Sequence, residues 1–355
     1  MYVPESTLID TQEGIQCKVY ASSHPKEGVI VKPKYIPVDL LELKELKKRY
    51  ILEKCMHRFN LFNSREIVNN NLNQLKEKYP YFYHEDTNHK NWFLIVPKEK
   101  IKKQYDSQEG LKQLMKVPEK DLDPYLKATR GIIEIMLSSG VPSNDLGISH
   151  STLLGNYTLG KSDIDILVFG KENGWCVLKH MEKVKHPLLK WKTEEEWAKY
   201  YQDRIVSSYF SKEEYVFNMV RKRDDGFFDG NVFSIFIVEK ENETWYDWDE
   251  KHEPLATVKI QAEVEDDSHA HIRPGYYGIK NVKVLEGYKN IPIKRIVVWS
   301  RPFVLQAKKG EEIEAVGLLE HVKSKEGEFY QIVIGYFDTY TTKRGDKEYL
   351  KARVR

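Results

Sequence analysis

Residues 147–168 read GISHSTLLGNYTLGKSDIDILV. A Ser-rich turn, Ser149-His150-Ser151, closes an apolar run at 146–149, and two aspartates, Asp163 and Asp165, head a second apolar run ending at Phe169. Side chains along a strand alternate faces, so Asp163 and Asp165 are expected on one side while Ile164 and Ile166 enter the core. Carboxylates held close repel and shift each other's pKa unless a cation lies between them, and Mg²⁺ favours such carboxylates together with phosphate oxygens. A turn with converging backbone N–H groups and hydroxyls can cradle phosphate. The eleven residues Thr152 to Ser162 leave room for a short helix that returns the chain to a neighbouring strand.

Working outward, Asp123 and Pro124 supply an N-cap and a first-turn proline for the run YLKATRGIIEIMLSSG, which Gly140 and Pro142 stop. Thr193 with Glu196 and Ser211 with Glu214 read as capping boxes, the second helix running through MVRKR towards Gly226; NVFSIFIV at 231–238 reads as a strand. Nearer the N-terminus, residues 14–37 alternate as a hairpin would, helical character follows at 40–59 and 64–78, and NWFLIV at 91–96 is strand-like. Beyond Trp248 come short runs such as TVKIQAEV, RIVVW and YQIVIGYF, the spacing of a small antiparallel barrel or sandwich. The fold class expected is α+β in three domains: a mixed α/β domain at 1–118, the motif-bearing domain at 119–246, and a β-rich domain at 247–355.

The 56 Lys+Arg against 54 Asp+Glu leave a formal charge of +2, too balanced for bulk attraction to polyanions, so any nucleic-acid surface must be a local patch. Cys17, Cys55 and Cys176 are odd in number and form no C-x-x-C pair, which argues against a disulfide framework or thiolate zinc site and suits small buried side chains in a reducing cytoplasm. No apolar run has membrane-spanning length and MYVPESTLID lacks a signal peptide's order, so a soluble, cytoplasmic protein is expected. A charged content of 31% would suit a thermophile's surface ion pairs.

The turn, the spacing and the Asp-Ile-Asp together resemble the signature of the DNA polymerase β nucleotidyltransferase superfamily: a Gly-Gly or Gly-Ser turn, about ten residues, then Asp-x-Asp or Asp-x-Glu on a strand. LIDTQEG, SSHP, KYIP, LGISHSTLLG, SDIDILVFG, RKR and EVEDDSHAHIRPGYYGI are similar, over most of the chain, to an archaeal group of predicted nucleotidyltransferases. The resemblance implies transfer of a nucleoside monophosphate from a nucleoside triphosphate to an acceptor hydroxyl with Mg²⁺ or Mn²⁺. Asp163 and Asp165 would bind the metal, and Ser149, His150 and Ser151 would position the triphosphate. Lys161 and Ser162 would contact it, or form a solvated turn.

Two departures stand out. His150 occupies the place of the turn's glycine. In the slot of the superfamily's third acid, Phe233-Ser234-Ile235, stands Ser234. Of the nearest acids, Asp225 and Asp229 precede that strand and Glu239 follows it; Asp229 is the catalytic candidate if the strand's start shifts. Without a third carboxylate the alternative is a non-catalytic nucleic-acid or ribonucleoprotein-binding protein on the same scaffold.

RNA or DNA could use Arg204, Arg221, Lys222 and Arg223, for which the helix dipole accounts equally, or Lys179, Lys183, Lys185, Lys190 and Lys192 around Trp191, where a solvated face is the usual fate of such a run. His269 and His271 have the spacing of a metal pair near Asp266 and Asp267 but lack a third ligand, so a surface loop is favoured. Tyr276, Tyr277, Trp299 and Phe303 could stack bases, with core packing the favoured fate.

Overall fold

The computed structural model describes residues 1–41, 43, 48–51, 54–59, 61, 64–203 and 210–353. In the N-terminal stretch, β1 (Leu8–Thr11), β2 (Gln16–Val19) and β3 (Val29–Pro37) form an antiparallel meander, the hairpin that the alternation at 14–37 requires. The helical reading of 40–59 does not hold for its described residues. There β4 (Lys48–Ile51) and β5 (Lys54–Arg58) pair as a hairpin, and β5 extends β3 through Ile36 and His57. Short apolar runs fit both periods, and an open sheet edge decides between them. Helix α1 (Arg65–Lys78) follows, its cap Ser64 accepting the Ile67 N–H at 3.4 Å, and β6 (Tyr83–Asp86), β7 (Asn91–Val96) and β8 (Ile101–Tyr105) complete the unit.

The middle stretch opens with α2 (Ser107–Lys116) and α3 (Pro124–Leu137), whose N-cap Asp123 accepts the Leu126 N–H at 2.8 Å. Then come β9 (Leu146–Ile148), α4 (His150–Leu154), β10 (Ile164–Phe169), α5 (Lys171–Lys183), β11 (Leu189–Trp191), α6 (Glu194–Asp203), α7 (Lys212–Val220), β12 (Asp225–Phe228) and β13 (Asn231–Val238). The sheet order is β11-β12-β13-β10-β9, with β10 and β13 parallel. One face, Ile164, Ile166 and Val168 beside Phe233, Ile235 and Ile237, packs on Ile132, Met136, Val177 and Met181 of α3 and α5. Each such side chain contributes about 1.5–3 kcal/mol on burial. The opposite face starts polar at Asp165 and Ser234, then turns apolar at Leu167, Phe169, Phe236 and Val238. The N-terminal unit reaches this part of the molecule, Tyr2 donating to the Glu239 carbonyl just beyond β13. Asp165 and Ser234 therefore lie at the polar end of the face.

Both capping boxes form, Thr193 with Glu196 and Ser211 with Glu214. Helix α7 ends at Val220, short of the Arg-Lys-Arg run, with Arg221 as its C-cap. Trp197, Phe210 and Tyr215, from α6, α7 and their approach, join the core of the C-terminal unit rather than that of the middle sheet.

In the C-terminal stretch, β14 (Lys251–His269), β15 (Gly275–Glu286), β16 (Ile293–Val298), β17 (Glu312–Ser324) and β18 (Gly327–Ile334) pair in the order β14-β15-β16-β18-β17, and β14 pairs again with β17. The ring closes, so the β-rich expectation resolves as a small barrel, with β19 (Tyr349–Ala352) added to β17 and with β16 and β18 parallel. The long β14 serves both neighbours, pairing with β17 from Lys251 to Glu263 and with β15 from Lys259 to His269. Trp299, Tyr336 and Phe337 share one core with Tyr20, Phe93 and Val96, so the first and third stretches are fused through apolar contact. Tyr277, Trp299 and Phe303 are buried, as core packing requires, while Tyr276 is half-buried and stacks on His269 at 4.4 Å. Cys17 is buried, but Cys176 is exposed on α5, contrary to the expectation for all three cysteines; helix faces do not follow from cysteine chemistry. No helix among the described residues is long and apolar enough to cross a membrane.

Candidate functional site

The turn after β9 is held to β10 by a backbone bond from Ser149 N–H to the Asp165 carbonyl, 2.9 Å. His150 takes φ +51°, the left-handed region where a glycine would sit at ease. For a residue with a Cβ this costs about 1–3 kcal/mol. The imidazole is fixed by its neighbours: Nδ1 lies 3.1 Å from Asp165 Oδ2, and the ring meets Phe236 edge-on at 6.0 Å. Burial drives His150 down to about 3, against the pull of Asp165. Burial opposes ionisation of Asp165, and His150, Lys18 and Lys34 outweigh it, holding the carboxyl below its ordinary value.

Asp163 stands exposed just before β10, and its backbone is pinned by Tyr125 of α3, whose hydroxyl donates to the Asp163 carbonyl at 2.9 Å and also meets Thr152 Oγ1 at 2.7 Å. Both aspartates line one cleft of about 750 Å³, as alternation along the strand requires. Of the expected phosphate contacts, the Ser149 hydroxyl is spent on the Ser6 carbonyl at 2.8 Å, and the Ser162 hydroxyl accepts the Thr158 N–H at 2.9 Å within an exposed turn that also carries Lys161. Neither Ser149, Ser151, Lys161 nor Ser162 is among the residues lining the cleft; His150 is.

Asp165 of β10, Ser234 of β13 and Asp225 of β12 lie in register on three adjacent strands. Ser234 Oγ donates to Asp225 Oδ1, and Asp225 lines the cleft. Asp224 lines it too, 3.3 Å from Arg301 Nη2, with its Oδ1 buried and lacking a hydrogen-bond partner among the described residues. Burial and the adjacent Asp225 push the Asp224 carboxyl up, against Arg301 and Lys222.

The acid chosen from sequence is elsewhere. Asp229 forms the β12–β13 turn with Gly230, both at positive φ, and borders a separate groove with His186 and Phe228. Glu239 lies beyond the far end of β13, buried and accepting the Trp245 N–H at 3.2 Å. The signal that would have found Asp225 is the Asp-Gly turn itself. A two-residue turn of that type fixes the hairpin register, and counting back from Phe228 opposite Asn231 sets Asp225 opposite Ser234.

Of the basic residues expected at the cleft, Lys222 is in place and the other described ones are not. Lys222 lines it and donates to the Pro302 carbonyl, whereas Arg221 pairs with Glu311 and Arg223 reaches the Glu182 carbonyl. Arg204 lies outside the described residues. The basic stretch at 179–192 does not border the cleft: Lys192 is buried over Trp197, and Trp191 packs on Phe233. The cleft's other cations come from the flanking units, Lys18, Lys32, Lys34 and Arg58 from the N-terminal strands and Arg273 and Arg301 from the barrel side. His269 and His271 both bond to Lys171, through Nζ and the carbonyl respectively, each at 2.9 Å.

Among the described residues no three His, Cys, Asp or Glu side chains form a ready-made metal cage. Mg²⁺ commonly takes one or two carboxylates and completes its shell with water and substrate phosphates. The donor chemistry of Asp163, Asp165, Asp225 and the orphaned Asp224 oxygen fits that use.

Comparison with known proteins adds one relative. The chain is 28% identical over 352 residues to an uncharacterized protein of Methanocaldococcus jannaschii, covering 98% of both chains. No family model matches the sequence. No solved structure matches it either.

Proposed function

We propose that the protein is a nucleotidyltransferase in which the third carboxylate has moved from its usual strand to the next. The observation that carries this reading is the row Asp165, Ser234, Asp225 across three paired strands, whose two acids line one cleft together with Asp163. A strand, a turn with left-handed backbone at His150, a short helix and a second strand bearing Asp-x-Asp are the order the polymerase β type would have, and His150 keeps the backbone of the glycine it replaces.

Asp163 and Asp165 would hold Mg²⁺ or Mn²⁺, which when bound neutralises charge on the nucleotide phosphates. An acceptor hydroxyl attacks the α-phosphorus of a nucleoside triphosphate, the bond to the bridging oxygen breaks, and pyrophosphate leaves. Asp225 accepts the hydroxyl proton, its carboxylate aimed by the Ser234 hydroxyl. His150, neutral through burial, orients Asp165 through their hydrogen bond.

The test is release of labelled pyrophosphate from γ-labelled nucleoside triphosphates, offered singly with Mg²⁺ and a pool of RNA, DNA and small hydroxyl acceptors. Turnover in wild type that disappears in Asp163→Asn supports the reading; turnover unchanged in that variant would reject it.

A second reading has its own observation. The barrel's strand order, with its third and fifth strands parallel, is the connectivity expected of the small barrels that bind oligonucleotides. It favours RNA or DNA as a partner of the chain, whether as acceptor or as the ligand of a non-catalytic protein. Single-stranded RNA binding with no nucleotide-dependent activity in any acceptor pool would select the latter.

A further inference from the structure

The wall of the cleft opposite the carboxylates is supplied by the N-terminal sheet, and among its described lining residues it carries cations and no acid: Lys18, Lys32, Lys34 and Arg58. Their placement is costly. Lys18 and Lys32 are direct cross-strand partners on β2 and β3, so the charged form of each disfavours that of the other. Lys34 sits at a β-bulge, where Gln16 pairs with Tyr35 and Cys17 with Pro33, so Lys34 is the extra residue of β3. Bulges next to sites re-aim side chains. Lys32 and Lys34 alternate with buried Val31, Pro33 and Tyr35 and so share one face of the strand, on which Lys32 Nζ lies 3.6 Å from the centre of the Tyr20 ring and donates to the Tyr340 hydroxyl. Lys18 crosses to the middle sheet, its Nζ 4.6 Å from the centre of the Phe236 ring, next to the His150–Asp165 pair. Burial, then Arg273, lowers Lys18 to about 7, and burial with Arg273 and Lys18 drives Lys32 well below its ordinary value. An anion in the cleft would reverse that penalty.

We propose that Lys18 and Lys34, set on this N-terminal wall, form a phosphate-binding site facing the carboxylates. It takes over the role that the Ser149 hydroxyl, engaged with Ser6, does not serve. The proposal rests on the nucleotidyltransferase reading for its place in the reaction but not for the binding itself. Phosphate bound here belongs either to the nucleotide's triphosphate or to a phosphorylated acceptor.

The experiment titrates full-length protein with inorganic triphosphate in EDTA, by calorimetry across a salt series, for wild type, Lys18→Gln/Lys34→Gln and Asp165→Asn. Wild type should bind and weaken steeply with salt, the lysine variant should lose at least about tenfold, and Asp165→Asn should bind as well or better. The far-UV circular dichroism and thermal midpoint of the variant, measured without ligand, separate lost binding from lost folding. Competition assigns the source: inorganic triphosphate that displaces a nonhydrolysable nucleoside triphosphate with Mg²⁺ occupies the nucleotide's site, and triphosphate that binds alongside it occupies the acceptor's. No metal-free binding in wild type, or equal binding in the lysine variant, overturns the proposal. Because the titration is free of divalent metal, its failure leaves the nucleotidyltransferase reading standing, and failure of the pyrophosphate assay leaves the phosphate site standing.

Discussion

His24 should make the fold acid-labile. Its imidazole is buried with both nitrogens used: Nε2 faces the Val3 carbonyl at 3.0 Å, and Nδ1 accepts the Ile30 N–H at 3.0 Å. That pattern suits only the neutral tautomer protonated at Nε2, because a proton on Nδ1 would confront the Ile30 N–H. Burial accordingly lowers the group to about 3. A folded-state pKa below the unfolded value of about 6.5 means that the unfolded chain takes up the proton first, so the stabilisation is full above about pH 6.5 and is lost as pH falls towards 3. At about pH 5 the unfolded state gains roughly 1.5 pH units' worth, or about 2 kcal/mol at 1.36 kcal/mol per unit. Urea unfolding followed by tryptophan fluorescence at about pH 7.5 and about pH 5 should show wild type losing about 2 kcal/mol more than His24→Gln over that interval, whatever the variant's own cost at neutral pH. Equal losses in the two proteins, or an NMR titration placing His24 near 6.5, would refute the argument.

Other expectations concern the carboxylate row and the fused core. In the pyrophosphate assay Asp225→Asn, nearly isosteric and still able to meet Ser234, should cost about 10²–10⁴ in rate, and Asp229→Ala should cost nothing measurable. Ser234→Ala should fall between them, since it removes only the group that aims Asp225. Trp299→Ala should destabilise by about 3–5 kcal/mol, because the ring packs at 5.2–5.6 Å on Tyr246 and Phe93 in the core joining the first and third stretches. Trp299→Phe should cost far less, as Nε1 has no hydrogen-bond partner among the described residues; denaturant midpoints check both.

What the sequence disclosed followed from local periodicity. Asp163 and Asp165 share a face because strands alternate, α3 starts at its Asp-Pro cap, and both capping boxes form where the spacing placed them. What it hid depended on pairing across the chain. The strands at 48–58 form because β3 offers an edge, which no local window contains. Asp229 is nearer to Ser234 in sequence, but the Asp-Gly turn encodes a register that sets Asp225 opposite Ser234; turn chemistry, counted through the hairpin, decides which acid is the spatial neighbour. Apart from Lys222, the cations of the cleft come from the strands between Lys18 and Arg58, far upstream of Asp163, and from beyond Ile272, and only the alternation in VIVKPKYIP hints that Lys32 and Lys34 share a face. The Ser149 hydroxyl, assigned to phosphate by its motif, is claimed by Ser6, a contact between distant segments.

The most direct test is a crystal structure with Mn²⁺ and a nonhydrolysable nucleoside triphosphate, with the metal located by its anomalous scattering. The account expects a manganese peak bound by Asp163 and Asp165, within reach of Asp225, and the triphosphate lying between those carboxylates and the lysines of the N-terminal wall. Manganese bound away from both aspartates, or a nucleotide seated outside this cleft, would contradict it.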